Sequence, residues 1–63
     1  MTKKDYVKFA EMLATRVEGA RNNDPFYDME TLKSVANGMA AIFADDNLNF
    51  DRVRFMYACG LDA

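Results

Sequence analysis

The 63-residue chain has no histidine and a single cysteine, Cys59. One thiol excludes an intrachain disulfide, and without imidazoles it cannot hold a structural zinc. Lacking histidine, any nucleophile would depend on a lysine or a carboxylate as its base. The glycines Gly19, Gly38 and Gly60 stand apart, so no glycine-rich phosphate loop is present. No apolar run approaches the ~20 residues of a membrane span. The opening segment MTKKDYVKFAEM has no uninterrupted apolar stretch and does not read as a signal peptide. A net charge of -2 and a pI near 4.8 supply no basic stripe for nucleic acid. These absences lead us to expect a protein that is not an enzyme and takes no metal or cofactor. An unpaired cysteine without an export signal fits the reducing cytoplasm.

What is present is apolar. Hydrophobic residues make up 51% of the chain and aromatics 13%, which argues against intrinsic disorder. A chain this short buries only about 60% of its unfolded surface. Its core rarely contributes more than about 3–5 kcal/mol. Regular helix packing, self-association or a partner must supply the rest.

The turn-formers divide the chain into three helical segments. In the first, Thr2 is a cap and Asp5 sits in the positive first turn. Tyr6, Phe9, Ala10, Leu13, Val17 and Ala20 then share one face. Asp24-Pro25 ends this helix, and Gly19 weakens its last turn by about 1 kcal/mol. Asp28 caps the second helix, whose apolar face is Leu32, Val35, Ala36, Met39, Ile42 and Phe43. Gly38 weakens its middle or lets another helix approach closely. In the third, Asn49 is the expected N-cap and Gly60 the left-handed residue after the end. Phe50, Val53 and Tyr57 fall on one side of that helix and Phe55 and Cys59 on the other, with Met56 between. A helix apolar on two sides must be covered on two sides. The expected fold is all-α: one compact three-helix domain, with helices at about 3–22, 29–45 and 50–59.

Asp45, Asn47, Asn49 and Asp51 match the first four ligand positions of a calcium loop. The series then breaks, because Phe50 stands at the glycine position and Met56 at the bidentate glutamate. These residues read instead as a solvated loop that caps the next helix. Cys59 lies near a helix C-terminus, whose negative end disfavours a thiolate, and reads as a small buried residue. Lys3, Lys4 and Lys8 are interrupted by Asp5 and Glu11, too weak a patch for phosphate contact. Arg52 and Arg54 flank Val53 and point to different sides; Arg54 lies three residues after Asp51, within side-chain reach. The aromatic and methionine residues that the helical stripes do not absorb suit an interface. Phe26, Tyr27, Arg52, Phe55 and Met56 are the candidate interaction residues.

The segment FDRVRFMYACG resembles the C-terminus of a group of short proteins encoded by tailed phages and prophages. Their pattern is D-N-P-x-FD-x-x-RF-x-x-ACG, preceded near the front by K-x-Y. The matching residues are Lys4, Asp5 and Tyr6, then Asp46, Asn47, Phe50, Asp51, Arg54, Phe55, Ala58, Cys59 and Gly60. Leu48 replaces the proline, leaving the turn less fixed. The resemblance implies a phage setting and the host cytoplasm. The expected function is a phage-type accessory protein that binds a host or phage protein. The alternatives are a self-assembling homo-oligomer and a small DNA-binding regulator. The last is disfavoured because Phe55 and Met56 stand where a base-reading helix needs polar groups.

Overall fold

A computed structural model describes residues 1–61 and shows three helices, with no strand among the described residues. They are α1 (Lys3–Arg21), α2 (Met29–Asp46) and α3 (Arg52–Ala58). Each packs on the other two, giving an all-α three-helix domain of 35 × 18 × 16 Å.

Side chains fix where each helix starts. The Asp5 carboxylate accepts from the Thr2 backbone N–H at 2.8 Å and from its hydroxyl at 3.3 Å. Those bonds, the backbone one first, hold the Asp5 carboxyl below its ordinary range. Asp28 accepts from the Thr31 hydroxyl at 2.8 Å and its N–H at 3.1 Å, with the same effect on its own carboxyl. Asp51 accepts from the Arg54 N–H at 3.0 Å. The α3 cap is therefore Asp51 and not Asn49, so the helix begins two residues later than expected. Asn49 instead belongs to a turn in which its N–H donates to Asn47 Oδ1 at 2.9 Å.

The late start changes the reading of Phe50. It lies before the cap, outside the helical phase, and its ring packs 5.6 Å from that of Phe55. The two rings share a side instead of opposing each other. Among the helical residues of α3, Phe55 and Met56 face inward while Val53 and Tyr57 face out.

The chain runs up, down and up. The Tyr6 hydroxyl of α1 meets Asp46 at the far end of α2 at 3.3 Å, so these helices are antiparallel. α3 runs parallel to α1, from Phe50 beside Tyr6 to Gly60 beside Val17. Gly60 has φ +82° as expected, and the Leu61 N–H donates to the Met56 carbonyl to close the helix end. Arg21 donates to the Gly60 carbonyl and ties that end to α1.

The core has two halves. Around Phe43 the rings of Tyr6, Phe9, Phe50 and Phe55 gather at centroid distances of 4.9 to 5.5 Å. Such pairs add about 0.5–1.5 kcal/mol each beyond burial. Leu13, Val17, Leu32, Cys59 and Leu61 form the aliphatic half. The apolar face of α2 is turned from the one expected: Ala40 is buried, whereas Val35 and Ile42 are exposed. A Cβ at Gly38 would meet open space, so no helix approaches there.

Candidate interaction surfaces

The connection between α1 and α2 holds Phe26 in the open. Asn23 takes a left-handed φ of 62°, a conformation that asparagine tolerates better than most residues. The Asp24 N–H then donates to the Gly19 carbonyl at 2.9 Å. Asp24 Oδ1 accepts from the Phe26 N–H at 3.0 Å, and the Asp24 carbonyl accepts from the Tyr27 N–H at 3.1 Å. Pro25 fixes φ between them. The Tyr27 ring folds back over Gly19, where a side chain would collide with it. Phe26 remains 88% exposed. The turn therefore spends its hydrogen bonds and its tyrosine on shaping a backbone that points a phenylalanine away from the core.

The other candidates separate. Phe55 and Met56, expected as interaction residues, are buried at 4% and 3% exposure and belong to the core. Phe50, lying before the cap, packs beside Phe55, and that side of α3 is the inner one. Arg52 is exposed and its Nη2 donates to Asn37 Oδ1 at 2.5 Å, linking α3 to α2. Arg54 meets Asp51 through its backbone N–H, as a cap, where a side-chain pair was expected. Phe26 and Tyr27 lie together in the α1–α2 connection, while Arg52 is at the start of α3.

A groove that sequence reasoning missed lies between the start of α1 and α3. It is an open groove of about 500 Å³ lined by Tyr6, Val7, Phe50, Phe55 and Ala58, with Lys3, Arg54 and the polar Asn47, Asn49 and Asp51 around them. Val7 is half exposed there. The groove brings together residues from both ends of the chain, and Val7 falls outside the main stripe of α1. The exposed valine within an otherwise regular helical pattern was the available signal.

Cys59 and the residues of the calcium-like series have structural places. Cys59 is fully buried, and loss of solvation pushes its thiol up to about 11. The Asn47 side chain holds the turn through the Asn49 N–H, and the Asp51 carboxylate caps α3. Among the described residues, no three histidine, cysteine or acidic side chains converge on a point. Nor is any helix long and apolar enough to cross a membrane. The chain matches no protein-family model, and no curated protein or solved structure is significantly similar to it.

Proposed function

We propose that this chain is a small, non-enzymatic, phage-type accessory protein that binds a protein partner of host or phage origin in the host cytoplasm. The observation that carries the reading is Phe26, presented on a hydrogen-bonded turn at 88% exposure. Burying such a ring releases about 1.5–3 kcal/mol. A prefixed turn avoids the ordering cost that a flexible loop incurs on binding. The phage setting is supported by the C-terminal FDRVRFMYACG resemblance. The non-enzymatic reading is supported by a protonated, buried thiol in a chain without histidine.

The test places a photo-crosslinking amino acid at position 26 in infected cells and identifies the protein captured. The affinity of that protein for wild-type chain and for Phe26→Ser is then compared. An anchor worth at least about 2 kcal/mol makes the variant weaker by about 30-fold. Equal binding by Phe26→Ser and wild type, with unchanged circular dichroism, overturns the proposal.

A further inference from the structure

The groove between α1 and α3 and the Phe26 turn have matching chemistry. The groove floor is aromatic and aliphatic, and the cations Lys3 and Arg54 flank it. Asp51 lines it too and keeps its charge while accepting from the Arg54 N–H, so the rim carries two cations to one carboxylate. On the turn, an exposed phenyl ring stands between two carboxylates in the sequence Asp24-Pro25-Phe26-Tyr27-Asp28. An apolar knob flanked by negative charge thus faces the problem that an apolar groove flanked by positive charge solves.

The two features cannot meet within one molecule. The groove reaches as far as Val7 in α1 and the turn lies beyond Arg21, 14 residues further along the helix (21 − 7), about 21 Å. We infer that the occupant of the groove is the Phe26 turn of a second copy of this chain. The contact uses different surfaces on the two molecules, so each copy that docks leaves one ring and one groove free. Such head-to-tail contacts extend unless their rotation closes a ring. A phenyl ring buries about 150–250 Å², far below the ~800 Å² per partner of a standard interface. The association is accordingly weak and concentration-dependent, and salt weakens it further by screening the charges. The inference rests on Phe26 being an anchor, and adds the site that receives it.

Sedimentation of the full chain from low micromolar to millimolar concentration tests it. The wild-type average mass is expected to climb past that of a dimer. Phe26→Ser, which keeps the groove, and Val7→Glu, which keeps the ring, are each expected to associate at least ten-fold more weakly. Both positions are exposed, and thermal melts establish that the variants fold. Mixed in equal amounts, the two variants should form a complex that stops at two chains. A wild type that stays monomeric throughout overturns the inference, as does a mixture that forms no complex. Association lost in Phe26→Ser but intact in Val7→Glu overturns the groove while leaving Phe26 as the anchor. Association abolished by Tyr57→Ser puts the interface on the outer face of α3 and also overturns it. A monomeric wild type whose captured partner still needs Phe26 sinks this inference alone.

Discussion

The Tyr27 ring lies so close to Gly19 that a Cβ at residue 19 would come within 2.7 Å of the ring's Cδ2. The glycine, a weak helix former, is thus the seat of the aromatic that shapes the following turn. Gly38 has no such neighbour. The two glycines therefore respond differently to alanine. Gly38→Ala should stabilise by about 1 kcal/mol, raising the melting temperature by about 4–8 °C in a domain of this size. Gly19→Ala should show no such gain, because the ring must move. It should also speed amide exchange at Asp24 and Tyr27, whose N–H groups hold the turn. An equal rise in both variants would mean the Tyr27 contact yields without cost.

Phe43 is the hub of the aromatic half of the core and is 3% exposed. Replacing such a residue by alanine typically costs about 3–5 kcal/mol, as much as the whole core of a chain this short supplies. Phe43→Ala should be unfolded at room temperature by circular dichroism. Tyr57→Ala, at an exposed position of α3, should stay within about 0.5 kcal/mol of wild type.

Asp51 and Arg54 distinguish a cap from an ion pair. The contact runs from the Arg54 backbone N–H to the Asp51 carboxylate, so the arginine side chain is dispensable to it. Asp51→Ala should cost about 1 kcal/mol, as loss of an N-cap does, and Arg54→Ala should cost much less. Equal losses in chemical denaturation would show that the charges pair.

Stability should decline at both ends of the pH scale for separate reasons. Asp5 and Asp28 have carboxyls held below their ordinary 3.8, so their contribution is complete above that value. It is lost as pH falls through their lower folded values. Cys59 has the opposite sign: its buried thiol keeps its proton to about 11, against 9.0 when solvated. That contribution is intact below 9.0 and is lost as pH rises towards 11. Denaturant melts across pH should show Asp28→Asn flattening the acid limb and Cys59→Ala the alkaline one.

The sequence was most legible where one helical period runs uninterrupted. In α1, Tyr6, Ala10, Leu13 and Val17 are buried as the stripe required. Legibility failed at α3, where everything depended on which of two neighbouring polar residues is the cap. Taking Asn49 instead of Asp51 extended the helical wheel backward over Phe50 and opposed rings that in fact touch. α2 misled for another reason. It buries the small Ala36 and Ala40 against its neighbours and leaves the larger Val35 and Ile42 outside. Residue size alone does not reveal which side a close helix contact will choose. Phe26 stood out in sequence as an aromatic that no stripe required, but the groove depended on the third dimension.

The shortness of α3 bears on how the molecule opens. Isolated helices below about 12–15 residues are marginal in water, and α3 has only seven. Its helicity is therefore borrowed from its docked side chains, Phe55, Met56 and Cys59, so undocking and unwinding are a single event. Cys59 lies at its C-terminal end, fully covered while α3 is docked. A thiol reagent in solution can reach that sulfur only during an opening, and its reaction rate is a clock for α3 separate from the melting of the other two helices.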